Sequence, residues 1–519
     1  MKHEGETYRL SLQWLAQQKG VEKNVIFYNR FVSHEELIEF ISAADIYLTP
    51  YLNEAQITSG TLAYTLGAGK AIISTPYWYA QELLSEERGV LVPFQDDEAM
   101  ADQVIKLLEN EAERHAMRKR AYMFGRQMIW SEVAQRYMES FERARIERRH
   151  HIQPGIIARV RDKYQGELPS LKLDHLELMT DSTGIFQHSL FTVPNYSHGY
   201  TTDDNARALL VTALLHEFGN TELEKLAPRY LAFLGFAFNA DKGRFRNFMD
   251  YQRNWLEEKG SDDSHGRALC ALGTVLNRSN TPAQHGMAAW LFEQTLPAIL
   301  STSSPRAWAF ALIGINEYSQ KFAGDSRSDQ VRNELAEHLM RLYKSNRSDK
   351  WCWFEKELSY CNAVLPHALL LCGSTITNDE MIEVGLESLD WLANLQQSGK
   401  GHFVPIGSNG FYYMGGERAR FDQQPVEAQT MVSASLEAYN ITNDERWIKE
   451  ARRAFEWFLG RNDLNLSLYD PTTGGCRDGL HPDRVNENQG SESTLAFLQS
   501  LLELRLVEQS HLSIKELVK

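Results

Sequence analysis

The sequence predicts a two-part fold: an α/β unit built on a parallel sheet, followed by an all-α toroid of the (α/α)6 kind. Three observations predict it. Residues 1–110 alternate short apolar strand patterns with amphipathic helical ones. From about residue 180 the strand pattern fades and helical periodicity takes over. Within that second half, six helices open on a polar segment that turns apolar and small.

In the first half, VIFYN (25–29), IYLTPY (46–51), AIIST (71–75) and GVLVPF (89–94) read as short buried strands. Helical patterns fall between and after them: SHEELIEFISAAD, SGTLAYTLGAG, YAQELL and DEAMADQVIKLLEN. Ser33 before two acidic residues suits a helix start, and Gly67 and Gly69 suit a helix end. Strand–helix–strand order with short connections implies parallel strands covered by helices. From Arg114 to Lys163 the chain holds 13 Lys/Arg against 5 Asp/Glu, which reads as a solvated helix surface, and Gln153-Pro154-Gly155 breaks it. The expected divisions are 1–130, a helical linker at 131–180, and the toroid at 181–510.

The six helix openings of the toroid are DDNARALL (203–210), DSHGRALC (263–270), PRAWAFAL (305–312), SYCNAVLPHAL (359–369), QQPVEAQTM (423–431) and GSESTLAFL (490–498). The first two share Asp-x-x-x-Arg-Ala-Leu, aligning Asp203 with Asp263 and Arg207 with Arg267. Most are followed by a more charged, amphipathic helix such as DERWIKEARRAFEWFL. Apolar inner helices alternating with one-sided outer ones describe six hairpins closed into a ring. Long loops rich in Gly, Asn and aromatics join them, and loops of that length in a compact domain are commonly functional.

Composition narrows the function. A net charge of −15 argues against nucleic acid or an anionic membrane as the main partner. No apolar run approaches the ~18 residues of a membrane span, and the start lacks the order of a signal peptide. Five dispersed cysteines without a CxxC pair read as reduced thiols of a cytoplasmic protein. Aromatic residues make 11% of the chain, which suits sugar rings as well as cores.

The stretch FVSHEELIEFISAADIYLTPYLNEAQITSGTLAYTLGAGKAIISTPYWYAQELLSEERGVLVPF resembles the C-terminal, nucleotide-sugar-binding lobe of group 1, family-4-type GT-B glycosyltransferases, from about residue 5 to 110. The resemblance implies an incomplete Rossmann-like lobe. It also implies a nucleotide sugar as donor, with the donor phosphates over Thr58, Ser59, Gly60 and Thr61 at a helix N-terminus. The two glutamates that the family carries eight positions apart fall on Gln56 and Tyr64. Gln56 can still hydrogen-bond a sugar hydroxyl, but this chain alone is not expected to transfer glycosyl units. The chain also opens inside the second lobe, as if it were the C-terminal portion of a longer protein whose N-terminal lobe is separate or missing.

Residues 180–507 resemble the six-hairpin glycosidase superfamily, which includes inverting glycoside hydrolases and sugar 2-epimerases. The fused arrangement implies a bacterial protein that transfers or processes oligosaccharide, with the toroid handling the glycan. Inverting hydrolysis needs an acid and a base about 6.5–9.5 Å apart. The expected catalytic set is Asp204, Asp263 and Glu427; the alternative for either Asp-Asp pair is an N-cap. Glu427 sits in an apolar helix, so it faces the central cavity or pairs with an arginine such as Arg207, Arg267 or Arg306. Expected substrate contacts are Asp203, Arg207, His265, Arg267, Trp308, Trp353, Gln424 and Glu492. His198, His265, His367 and His402 could instead move a proton at a sugar carbon, the epimerase alternative. No HxH or HExxH spacing appears, so neither a metal nor another required cofactor is expected. A non-catalytic glycan-binding protein is the remaining alternative.

Overall fold

The computed structural model describes residues 5–150, 167–219, 225–279 and 281–517. The chain forms two compact units, residues 1–152 and 153–519. Gln153-Pro154-Gly155, and with it part of the 131–180 linker, lies outside the described residues.

The first unit is built on three parallel strands, β1 (Ile46–Thr49), β2 (Ala71–Ser74) and β3 (Val90–Leu91), in the order β1-β2-β3. Side chains alternate across a strand, so β2 feeds two small cores. Ile72 joins Leu62, Leu66 and Tyr77 on one face, while Ala71 and Ile73 join Val92, Leu107 and Met117 on the other. Helix His34–Ala43 starts at a capping box between Ser33 and Glu36. Helices Gly60–Gly67, Trp78–Leu83 and Asp97–Glu109 follow the predicted patterns. The expected strand at 25–29 does not form, and Ile26 there is 79% exposed. A parallel strand is stabilised only by a neighbour, and no described strand lies beside this segment.

The second unit is the toroid. Its six inner helices are Thr202–His216, Asp262–Arg278, Pro305–Lys321, Val364–Ile376, Pro425–Thr442 and Ser491–Leu517. Each packs on the next, and the sixth packs on the first, closing the ring. Outer helices Ala227–Ala237, Pro282–Thr295, Ser326–Asn346, Asp379–Leu395 and Glu445–Glu456 pack outside them, and Asp174–Leu178 lies on the sixth.

Burial explains the two sequence patterns. In the second inner helix every residue from Ser264 to Leu276 is buried, whereas the outer helix Glu445–Glu456 buries only Trp447, Ala451, Ala454 and Phe455. The second and third inner helices touch backbone to backbone: a Cβ on Gly273 would lie 2.0 Å from the Gly314 carbonyl oxygen. Short two-stranded ribbons, such as Tyr200–Thr201 with Phe248–Met249 and Gly479–Leu480 with Val485–Asn486, precede or link the inner helices at one end. Among the described residues no helix is long and apolar enough to cross a membrane.

Candidate active site

The inner helices run parallel, so their N-termini meet at one mouth of the toroid. The first two are capped by Thr201 and Ser261, whose side chains accept from the backbone N–H of Asp204 and Ser264. The N-cap alternative for the two Asp-Asp pairs is thereby excluded. All four carboxylates are left for other partners.

At the centre of the mouth Asp203 is shared. Arg207 Nε donates to its Oδ1 at 2.8 Å, and Arg267 Nε lies 3.1 Å from the same oxygen. Arg207 Nη2 also donates to Glu492 Oε2 at 2.7 Å. The Arg267 guanidinium lies 3.9 Å over the Phe310 ring, and its Nη2 donates to Cys361 Sγ at 3.1 Å. Burial would raise the Asp203 carboxyl, but the two guanidiniums outweigh it and hold the group below its ordinary range. Asp204, only 5% exposed, is its opposite: burial and the charge on Asp203 push it up to about 8. The Thr201 hydroxyl donates to it at 2.5 Å. Adjacent carboxyls thus sit in opposite protonation states at neutral pH.

Asp263 occupies the equivalent place on the second inner helix but has different partners. The hydroxyls of Ser304 and Tyr360 each donate to it at 2.5 Å. Arg306 lies against the Tyr360 ring and donates to Glu355 at 2.9 Å, holding that corner of the mouth. Glu492 is the open carboxylate, with its side chain 44% exposed.

Several expected contacts lie elsewhere. Glu427 is 2% exposed, does not line the axial cavity, and forms no ion pair with an arginine among the described residues. Its carboxylate accepts from the Asn362 backbone N–H (3.1 Å), the Asn362 side chain (2.9 Å) and Gln396 (3.2 Å), so it clamps the turn before the fourth inner helix. His265 is fully buried against Thr295 O at 3.1 Å, and burial pushes it down to about 3, a neutral core histidine. Trp308 turns outward, its indole donating to Thr302 O and its ring beside His338 at 4.9 Å. Trp353 is wholly buried beside Trp391. Aromatic character alone does not separate a ring in the core from one in the mouth. Gln424 stands half-buried at the start of the fifth inner helix. His402 is held by Asp463 at 3.0 Å in a loop clamp shared with Arg420.

Two groups near Glu492 were not singled out from the sequence. Asp478 accepts the Gly490 N–H at 2.7 Å; burial, with the Glu492 charge adding to it, pushes it up to about 6. His188 packs edge-on to His198 at 5.0 Å, and burial with that neighbour lowers its affinity for a proton. Asp478 lies in the loop RDGLHPDRVNENQG, where loop length was the signal, yet nothing local distinguishes it from Asp483.

In the first unit Gln56, Thr58, Ser59, Gly60 and Thr61 form one loop and helix start. Ser59 caps the helix through the Leu62 N–H at 3.3 Å, and the Gln56 amide donates to Thr58 O at 2.6 Å. Tyr64 stacks edge-on with His34 at 5.0 Å. The two positions aligned with the glutamates therefore supply an amide and a phenol.

Residues 5–124 match the family glycosyl transferases group 1. No curated protein matches the chain. Among solved structures, a sugar epimerase from a ruminal bacterium is similar at 12% identity and a TM-score of 0.51, covering 67% of this chain and 99% of that one. The cellobiose 2-epimerase from Bacillus thermoamylovorans is similar at 11% identity and 0.51, covering 64% and 96%. That from Spirochaeta thermophila is similar at 13% and 0.51, covering 69% and 99%. These likenesses bear out the fold: a segment of the group 1 glycosyltransferase type fused to a six-hairpin toroid.

Proposed function

We propose that the chain processes bacterial oligosaccharides in the cytoplasm and that the toroid mouth carries the chemistry. The observation that carries this reading is the split of carboxyl states around Glu492. Asp204 keeps its proton at neutral pH and Asp478 is raised to about 6, so that part of it carries a proton near neutrality, whereas Asp203 is held low between Arg207 and Arg267. Two carboxyl groups pushed apart in this way suit general acid and base. In the hydrolytic reading Asp478 gives its proton to the leaving glycosidic oxygen. Glu492 takes a proton from the water that attacks the anomeric carbon from the opposite face. Asp204 stays neutral, and Asp203 and Glu492 are the carboxyl groups that meet the two guanidiniums. Asp263, Tyr360 and Arg267 would meet sugar hydroxyls. Five cysteines free of disulfides support a reducing compartment.

A second reading has one observation in its favour. Neutral His188 beside His198, near Glu492, suits removal of a proton from the carbon next to a sugar carbonyl and its return on the other face. The α/β unit keeps a place for nucleotide-sugar phosphates at Thr58–Thr61 but supplies neither glutamate.

The purified chain would be incubated with gluco- and manno-oligosaccharides without nucleotide sugar, and products followed by chromatography. Shorter sugars are expected. Asp478→Asn should reduce turnover by about 10²–10⁴-fold, the usual share of general acid catalysis, while Gln56→Ala leaves it unchanged. Cleavage that survives both Asp478→Asn and Glu492→Gln overturns the assignment. A product of unchanged mass that disappears in His188→Gln, but not in Asp478→Asn, favours epimerisation.

A further inference from the structure

The barrel encloses a second space that the acid–base set does not use. Beneath the Arg207–Asp203–Arg267 array, an axial cavity of about 360 Å³ runs toward the C-terminal ends of the inner helices. That size lies within the range of small-molecule sites. Its far end reaches exposed Asn440, on the side of the barrel opposite the mouth.

Carboxyl groups outnumber cations in its lower half. Arg278 donates to Glu317 and to Glu217, each at 2.7 Å, so one guanidinium already serves two carboxylates. Glu437 and Glu503 line the same cavity, both within electrostatic reach of Glu317 and of Arg278, and among the described residues neither forms an ion pair. Among the described residues Glu503 accepts from the Ser433 hydroxyl (2.5 Å) and the Gln499 amide (2.8 Å), and Glu437 accepts from the Asn440 amide at 3.2 Å. Burial disfavours the charge on both. A buried anion is tolerated when a cation joins it.

The wall above carries an independent sign of an occupant. His367, on the fourth inner helix, lines the cavity, and its ring has no hydrogen-bond partner among the described residues. Burial keeps it neutral, down to about 4, so the ring offers one donor and one acceptor to whatever fills the space. Leu210, Phe310 and Leu371 supply apolar surface between these polar groups.

We propose that this cavity is a second binding site, for a small hydroxylated organic ammonium compound about the size of an amino-monosaccharide. Its ammonium lies between Glu437 and Glu503, and its hydroxyls meet His367 and Gln429. The site is separate from the mouth, although Arg207 and Arg267 border both. Its existence does not depend on the reaction proposed for the mouth.

Calorimetric titration of the full chain with D-glucosamine tests this, with D-glucose and D-glucuronate as neutral and anionic controls. Saturable binding of glucosamine is expected, at least tenfold tighter than glucose, with none of glucuronate. Glu503→Gln, nearly isosteric, should weaken it tenfold or more, and His367→Phe should weaken it too. Asp478→Asn, at the mouth, should leave it unchanged. Circular dichroism would establish that each variant folds; should Glu503→Gln fail to fold, Glu437→Gln reads the same contact from a less buried position. Glucose binding as tightly as glucosamine overturns the charge argument. Absence of glucosamine binding, or binding lost in Asp478→Asn and kept in Glu503→Gln and Glu437→Gln, overturns the site.

Discussion

The two units place their charges in opposite ways. In the α/β unit ion pairs such as Arg30–Glu36 and Lys106–Glu113 lie at the surface. Of its buried cations, Lys70 donates to the Ser42 carbonyl, and Arg88 donates to the Leu83 and Glu82 carbonyls and pairs with the exposed Glu86. The toroid instead buries Arg207, Arg244, Arg267 and Arg306 against Asp203, Asp262, Glu492 and Glu355, all at one mouth. Desolvating such pairs costs several kcal/mol per ion, and apolar packing serves stability equally well. Buried charge gathered along the axis of the ring, at the mouth and in the cavity beneath it, therefore marks where ligands are held, and surface charge spread over the other unit does not.

The sharpest way to break this contrast is to remove a central partner. Asp203→Asn leaves Arg207 and Arg267 short of charge and should cost the toroid about 3–5 kcal/mol. Glu36→Gln should leave unfolding of the α/β unit unchanged. Denaturant titration of the full chain reads both, and equal effects would dissolve the contrast.

Backbone packing differs in the same direction. Gly273→Ala places a Cβ against the Gly314 carbonyl and should cost about 1–3 kcal/mol, as overpacking does. Gly60→Ala meets only Tyr64, at 3.9 Å, and should stay within about 0.5 kcal/mol of the parent. Equal shifts in the denaturation midpoints would show that the inner helices can move apart at little cost.

The smallest expected effect is a pH slope. Folded His265 takes a proton only near about 3, whereas the unfolded imidazole takes one near about 6.5. The unfolded chain therefore binds the proton first as pH falls. Its contribution to stability is full above about pH 6.5 and declines toward pH 3, by about 2 kcal/mol at pH 5. His265→Gln should flatten the pH dependence of the toroid's thermal midpoint between pH 7 and 5. An unchanged slope would mean that the ring is hydrated in the folded state.

Local pattern made much of the fold legible. Apolar runs marked β1, β2 and β3, and continuous apolar periodicity marked the inner helices. The segment 25–29 misled because apolar residues mark a strand only where a neighbouring strand can be paired. The site was legible in part. Asp203, Arg207, Arg267 and Glu492 do come together, whereas Trp308 and Trp353 pack away from the mouth and Glu427 serves a turn.

The sequence by itself determined the alternation of strand and helix, the six inner helices, and the repeated Asp-x-x-x-Arg. Periodicity and i, i+4 spacing are properties of a single segment. What the repeat does was decided only by closure of the ring. Asp203 meets its own Arg207 and also Arg267 from the next helix, while Asp263, four residues before Arg267, turns to Ser304 and Tyr360. Two identical motifs acquired different partners because a buried charge takes its partner from the helix that packs beside it, and that neighbour exists only in the assembled barrel.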